Sequence, residues 1–220
     1  MAIVVFDLDG TLIDSAPDIR ATANDVLSAM DAAPLDLAET ISFIGNGAGV
    51  FVRKMREARH LPEAREAEML RLFLDGYENA KDLTQLYSGV LDALKVLQGQ
   101  GHALGLCTNK PEVPARAILK HMGLEPFFPA VIGGDSLPLR KPDPAPLLAT
   151  CDALGDGPRI YVGDSEVDAE TAQATGVPFA FFTQGYCHIP HASVTCVARF
   201  DHFDALAGIA ARYAATAPDR

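Results

Sequence analysis

The sequence predicts a doubly wound α/β core with a helical cap domain inserted after the first strand. Three observations predict it. Short, continuous apolar runs recur along the chain, most of them ending at Gly, Thr or an acid. Helical patterns separate these runs, which is the alternation of a parallel sheet covered on both faces. That alternation is suspended once, over residues 15–83, where only helical spacing is present.

Taken in order, Ile3–Phe6 is a β-rich run closed by Asp7. Ser15-Ala16-Pro17-Asp18 reads as a helix start, with a serine to cap it, an early proline and an acid in the first turn. Ile19, Ala23, Val26, Leu27 and Met30 then follow at helical spacing. A glycine-rich loop, Gly45-Asn46-Gly47-Ala48-Gly49, precedes another helical run, Glu63–Tyr77. It carries Met69, Leu70, Phe73, Leu74 and Tyr77 on one stripe and is expected to end near Gly76. Further strands are expected at Ala103–Cys107, Ala130–Ile132, Ile160–Val162 and Phe179–Phe182. The helices expected around them are Glu112–Met122, Pro144–Leu154, Val167–Thr175 and Phe203–Tyr213. The expected division is a core of residues 1–14 and 84–220 and a cap of residues 15–83, with Ala214–Arg220 fraying.

Composition bounds the function. The 220 residues are 49% hydrophobic and 21% charged, which is ordinary globular composition. A chain of this length can bury about 70% of its unfolded surface, so the core needs neither disulfides nor a metal. A net charge of −11 argues against nucleic acid or an anionic membrane as partner, since both reward clustered Lys and Arg. It leaves open a small anionic substrate, because a metal ion and lysines reverse the field locally. No basic segment precedes the first apolar run, and no stretch approaches ~18 uninterrupted apolar residues. Cys107, Cys151, Cys187 and Cys196 lack C-x-x-C spacing. The expectation is a reduced, cytoplasmic protein, monomer or homodimer.

In open α/β sheets, ligands bind at the carboxyl ends of the strands. Asp7 and Asp9 follow the first strand, Thr108 and Asn109 the next, and Asp164 and Asp168 a later one; Lys141 opens a helix between them. Carboxylates converging on one edge repel unless a cation joins them, and hard oxygen ligands suit Mg²⁺. A lysine and a hydroxyl beside that metal make a site for a phosphate dianion. Each piece alone has a plainer reading. Asp7-Leu8-Asp9-Gly10-Thr11 fits a solvated turn, Thr108-Asn109-Lys110-Pro111 a helix cap, and Arg140-Lys141-Pro142-Asp143-Pro144 a rigid helix start. Gly163-Asp164-Ser165 with Asp168 fits a capping arrangement. Their coincidence in this order carries the signal.

These residues resemble the signatures of the haloacid dehalogenase-like superfamily, and within it the phosphoglycolate phosphatase family. Asp7-Leu8-Asp9-Gly10-Thr11-Leu12 matches the first signature, Thr108-Asn109-Lys110 the second, Lys141-Pro142 the third and Gly163-Asp164-Ser165-x-x-Asp168 the fourth. Ile44-Gly45-Asn46-Gly47 and Gly185-Tyr186 also resemble that family, so the likeness spans essentially the whole chain. The resemblance implies a Rossmann-like core and Asp7 as a nucleophile that forms an aspartyl-phosphate. It implies Asp9 as the acid and base, and Mg²⁺ held by Asp7, the Asp9 carbonyl and Asp164, with Asp168 behind. Thr108, Asn109 and Lys141 would hold the phosphoryl, and Asn46 and Gly47 would meet the substrate from the cap.

The substrate implied is a small phosphorylated metabolite, 2-phosphoglycolate above others. A phosphosugar mutase of the β-phosphoglucomutase type shares the chemistry, and a non-catalytic phosphometabolite-binding module shares the fold. Dehalogenation is disfavoured, since alkyl-halide displacement needs no acid where Asp9 stands. In the cap, Gly45-x-Gly47-x-Gly49 is a poor dinucleotide fingerprint and reads as a closing loop or an interhelical turn. Arg53 and Lys54 are candidates to meet a substrate carboxylate, or are simply solvent-facing. His188-Ile189-Pro190-His191 reads as surface rather than as a metal site.

Overall fold

The computed structural model describes residues 1–78 and 80–214. The chain runs β1 (Ile3–Phe6), β2 (Ile13–Asp14), α1 (Ala16–Ala29), α2 (Leu37–Phe43), α3 (Ala48–Ala58), α4 (Glu66–Tyr77) and β3 (Gln85–Leu86). It continues through α5 (Val90–Gly99), β4 (Ala103–Cys107), α6 (Glu112–His121), β5 (Ala130–Ile132), α7 (Ala145–Leu154) and β6 (Arg159–Gly163). The last elements are α8 (Glu166–Thr175), β7 (Phe179–Phe182), β8 (Ala198–Phe200) and α9 (Leu206–Ala214). The main sheet is parallel, in the order β5-β4-β1-β6-β7-β8.

Side-chain alternation shows why these runs are continuously apolar. Val4 and Phe6 join Leu104, Leu106, Ile160 and Val162 in a cluster on one face of the sheet. Ile3 and Val5 join Cys107, Tyr161 and Phe181 in a separate cluster on the other. Successive residues of a strand point to opposite faces, so a strand buried on both faces has no polar position to spare. Because β1 lies between β4 and β6, the strand order reverses about it, and the carboxyl ends of these three parallel strands form the crevice where such sheets bind ligands.

The cap has its own core. Ile19, Ala23, Val26, Leu27 and Met30 of the first predicted stripe are all buried with Phe51, Met55, Met69, Phe73 and Tyr77. The second stripe is narrower than the sequence suggests. Met69, Phe73 and Tyr77 lie one above another at four-residue spacing, whereas Leu74 is turned outward. The helix does not stop at Gly76 but runs through it to Tyr77. A Cβ there would stand 3.0 Å from the Thr22 side chain, so this glycine serves close packing of α4 on α1.

Several other expectations need correction. Ser15 precedes α1 but makes no capping bond with its side chain; the backbone N–H groups of Ser15 and Ala16 instead donate to the Tyr186 hydroxyl, at 2.9 and 3.0 Å. Lys141 lies in the loop ahead of α7 and does not open that helix. Residues 203–205 form a 3-10 turn before α9, and α2, α5, β2, β3 and β8 are additional to the expected elements. Of the tail expected to fray, Ala214 ends α9 and residues 215–220 lie outside the described residues. No described helix is long and apolar enough to cross a membrane.

The cap joins the core through two neighbouring crossings, where β2 and β3 pair antiparallel, Asp14 opposite Gln85. Asp18, in the first turn of α1, clamps the return: its Oδ2 accepts from the N–H groups of Leu83 and Thr84 and from the Thr84 hydroxyl. Farther out, His188 spans cap and core. Its Nδ1 stands 2.8 Å from Glu166 Oε1 and its Nε2 3.0 Å from the Ile41 carbonyl. Only the imidazolium donates from both nitrogens. The bond to Glu166 and the Ile41 carbonyl hold its pKa above 6.5, against burial and the Lys54 charge. Burial would raise Glu166, but the His188 ring and backbone outweigh it and hold that carboxyl at about 2.

The His188 contribution is therefore complete below pH 6.5 and lost as pH rises through its native value. That of Glu166 is complete above pH 4.5 and lost as pH falls towards 2. His188→Ala is expected to lower thermal stability most between pH 4.5 and 6.5, by no more than about 1 kcal/mol for a partly solvated pair. A melting-temperature difference that is the same at pH 5.5 and pH 9 would contradict this.

Candidate active site

The site begins with a turn. The Leu8 carbonyl accepts from the N–H groups of Thr11, Leu12 and Ile13, and buried Leu8 and Leu12 anchor the turn in the core. Asp7, Asp9, Thr108 and Asn109 thereby line one cleft between core and cap. Gly10 holds φ +87°, and a Cβ there would fall 2.4 Å from Asp164 Oδ2, so only glycine lets the turn pass over that carboxylate.

Beneath the cleft lies a buried charge cluster. One carboxylate oxygen from each of Asp7, Asp164 and Asp168 lies within 4.8 Å of the others. Lys141 Nζ stands 3.0 Å from Asp7 Oδ1 and 2.7 Å from Asp168 Oδ1, and donates to the Tyr161 hydroxyl at 2.8 Å. The second Asp168 oxygen accepts from the Ser165 hydroxyl at 2.6 Å and from the backbone N–H groups of Asp164 and Ser165. Ser165 Oγ accepts from the Asp168 N–H in return, so the predicted capping arrangement at the start of α8 is present and also fixes the site. Asp164 accepts from the Thr11 hydroxyl on one oxygen and from the Tyr186 N–H on the other, each at 2.6 Å.

The carboxyls respond differently to this crowding. Burial pushes Asp7 up to about 7; Lys141 opposes the shift and Asp168 reinforces it. Asp164 is raised well above the usual carboxylate range by burial, then by Asp168 and Asp7. Asp168 is held below that range, because Lys141 and the surrounding donors outweigh its burial. Lys141 is buried too, yet Asp168 and Asp7 keep it firmly charged. Asp7 Oδ1, although 3.0 Å from Lys141, has no hydrogen-bond partner among the described residues.

The cap lies over the cleft, so that Ile19, Phe51, Phe73 and Tyr77 face Asp7 and Asp9 across it. Gly47 lines it with φ +82°, and a Cβ there would press on the Asn109 carbonyl and the Arg140 guanidinium, each at 3.2 Å. Asn46 is on the same loop but outside the lining. The Asn109 side-chain amide donates to the carbonyls of Gly45 and Lys141, both at 3.0 Å, while its buried Oδ1 has no hydrogen-bond partner among the described residues. Thr108 Oγ1 accepts from the Lys110 N–H.

Sequence reasoning missed two residues here, and the candidate cap cations are elsewhere. Arg53 is exposed, and Lys54 donates to the Ser42 carbonyl at 3.3 Å; neither lines the cleft. The cation in the wall is Lys110, whose Nζ lies 3.2 Å from Asp9 Oδ1 and donates to the Tyr77 hydroxyl of the cap. The Thr108-Asn109-Lys110 triplet pointed to that lysine, but nothing in the sequence relates it to residue 77. Ser15, whose hydroxyl donates to Asp9 Oδ1 at 2.5 Å, was legible only as a helix cap.

Residues 4–182 match the family model of the haloacid dehalogenase-like hydrolases. The chain belongs to that family. A phosphoglycolate phosphatase of Cereibacter sphaeroides is 50% identical over 206 residues, which are 92% of this chain and 94% of that one. A phosphoglycolate phosphatase of Rhodobacter capsulatus is 44% identical over 94% of this chain and 95% of its own length. Among solved structures, a predicted phosphoglycolate phosphatase from Haemophilus somnus superposes with a TM-score of 0.89 at 32% identity, covering 94% of this chain and 97% of that one. With such relatives over nearly its whole length, this haloacid dehalogenase-like hydrolase is a phosphoric monoester hydrolase.

A carboxylate whose folded pKa is raised costs stability once pH exceeds its unfolded value. For Asp7 that cost sets in above pH 3.8 and is complete above about 7. In metal-free protein, Asp7→Asn is therefore expected to raise stability, by nothing near pH 4 and on the order of a few kcal/mol at pH 7.5. Thermal unfolding of both proteins in EDTA checks this. A gain independent of pH, or a loss at pH 7.5, would refute it.

Proposed function

We propose that this hydrolase is a Mg²⁺-dependent phosphatase that cleaves 2-phosphoglycolate, with Asp7 as nucleophile and Asp9 as acid and base. The observation that carries the reading is Asp7 Oδ1, a buried carboxylate oxygen without a hydrogen bond beside Asp164 and Lys141. The phosphoglycolate phosphatases similar to it over nearly the whole chain support the choice of ester.

The donor set fits a hard divalent cation. Three carboxylates and one lysine leave two negative charges unbalanced in the cluster, and both raised carboxyls are ones that a cation would relieve. Asp7, the Asp9 main-chain carbonyl and Asp164 would hold it. Each Asp168 oxygen accepts from at least two protein donors, against one for each Asp164 oxygen, which suits Asp168 to orienting Lys141 and the α8 turn. When bound, the ion screens the phosphoryl oxygens from the attacking carboxylate.

The remaining work falls to side chains. Lys141 offsets charge on the phosphoryl group, and the Asn109 N–H and Thr108 hydroxyl orient it. An Asp7 oxygen attacks phosphorus in line, the P–O ester bond breaks with its electron pair, and Asp9 gives a proton to the departing alkoxide. Asp9, now a carboxylate, takes a proton from the water that attacks the aspartyl-phosphate, releasing inorganic phosphate and restoring Asp7. The Ser15 hydroxyl and Lys110 hold Asp9 in place for both steps.

Two measurements test this reading. Hydrolysis of 2-phosphoglycolate should require Mg²⁺ and vanish in EDTA; full activity in metal-free protein would overturn the site. Asp9→Asn should lose ~10²–10⁴ in turnover of alkyl phosphates. With p-nitrophenyl phosphate, whose leaving group needs little protonation, it should release about one nitrophenolate per site and stall with Asp7 phosphorylated. Asp7→Asn should give no burst. Quench-flow with intact mass spectrometry follows both, and wild-type turnover by Asp9→Asn on both esters would contradict the two-aspartate mechanism.

A further inference from the structure

We infer that Lys110, held by Tyr77 of the cap, receives the carboxylate of the substrate's leaving group and so selects phosphate esters of short 2-hydroxy acids. The inference rests on the phosphatase reading above and names the group that recognises the non-reacting end of the ester.

Lys110 is buried, with its side chain only 3% exposed, yet it lines the cleft together with Asp7 and Asp9. Among the described lining residues it is the one with a cationic side chain; Lys141 lies beneath, engaged by Asp7 and Asp168. The ammonium is not saturated. The two Asp9 oxygens, at 3.2 and 3.5 Å, are at the spacing of one stretched, shared bond, and the Tyr77 hydroxyl takes a second donor. An ammonium has three donors, which leaves one for a ligand. The Tyr77 ring also stands against the cation, its centroid 3.9 Å from Nζ, and fixes its position from the cap side.

Position then dictates chemistry. Asp9 donates to the ester oxygen, so that oxygen comes within hydrogen-bond distance of the Asp9 carboxyl. In a 2-hydroxy acid ester the carboxylate carbon is two bonds farther on. A cation about 3 Å from Asp9 is within reach of that carboxylate, whereas an anionic group at the far end of a sugar would overshoot it. The surroundings, Ile19, Phe51, Phe73 and Pro111, are apolar. In such walls a charged hydrogen bond is worth more than in water, and an uncharged analogue leaves the third ammonium donor without a charged acceptor.

The test compares 2-phosphoglycolate with 2-hydroxyethyl phosphate, which replaces the carboxylate by CH₂OH on the same skeleton. Wild-type protein with Mg²⁺ should favour the carboxylated ester in kcat/KM, and Lys110→Gln should shrink that preference by about 10- to 100-fold, the size of one charge-assisted hydrogen bond. If Lys110 only supports Asp9, both esters lose by the same factor and the ratio stands, which overturns the inference. Should Lys110→Gln fail to melt cooperatively, Tyr77→Phe keeps the lysine and removes its anchor. It should lower the ratio several-fold, mainly through KM, and an unchanged ratio again overturns the inference. A wild-type protein that cleaves 2-hydroxyethyl phosphate but does not prefer 2-phosphoglycolate would refute the proposed substrate itself, while a wild-type preference retained by the variants removes Lys110 alone.

Discussion

The contact on which the rest depends is that of Lys141 with Asp7 and Asp168, one buried ammonium between two buried carboxylates, with a third, Asp164, alongside. Like charges ~4 Å apart repel by about 4 kcal/mol at an effective dielectric constant of about 20, so three acids cannot be gathered without compensation. Much of the local architecture supplies it. The Asp168 oxygens collect donors from Tyr161, Ser165 and the backbone just ahead of α8, and the Tyr161 hydroxyl, fed by Lys141, also faces the Cys107 carbonyl on β4. Strands β1, β4 and β6 and helix α8 are thus tied at one point below the cleft. The compensation stops short at Asp7, whose carboxyl is still pushed up to about 7 by burial.

Cap and core communicate with that point through few, polar and specific contacts. Tyr186 is the nearest of them: its N–H donates to Asp164, while its hydroxyl accepts from the first N–H groups of α1 and donates to Asp14 Oδ1 at 2.6 Å. A rotation of α1 about the crossing therefore pulls on the same residue that positions a candidate metal ligand. Asn109 links the Gly45 carbonyl of the cap loop to the backbone of Lys141. Such bonds can be exchanged for water at modest cost, unlike the separate apolar clusters of cap and core, which suits a cap that admits and releases a metabolite.

Much of this was legible in the sequence because β1, β4 and β6 end where apolar residues give way to functional ones. Asp7, Thr108 and Asp164 mark both a strand's end and a candidate role. What was not legible was set by neighbours distant in the chain. Ser15 has the identity of a helix cap, but Asp9 offers its hydroxyl a charged acceptor and Tyr186 takes over the helix end. Gly76 has the identity of a helix stop, but the approach of Thr22 explains it. Arg53 and Lys54 are candidate cations in the sequence, but charged residues on a cap helix usually face solvent, and neither lines the cleft. The Lys110–Tyr77 pair joins residues 33 positions apart in different domains, and no local pattern encodes it.

The antiparallel pairing of Asp14 with Gln85 has an evolutionary consequence. It brings the two severed ends of the inserted segment side by side, in the register that a hairpin loop of about two to five residues would bridge. The four helices described between them form a cassette that contributes no strand to the main sheet. Divergence in this architecture can therefore proceed by wholesale exchange of the roof, while the hydrolytic floor is inherited intact.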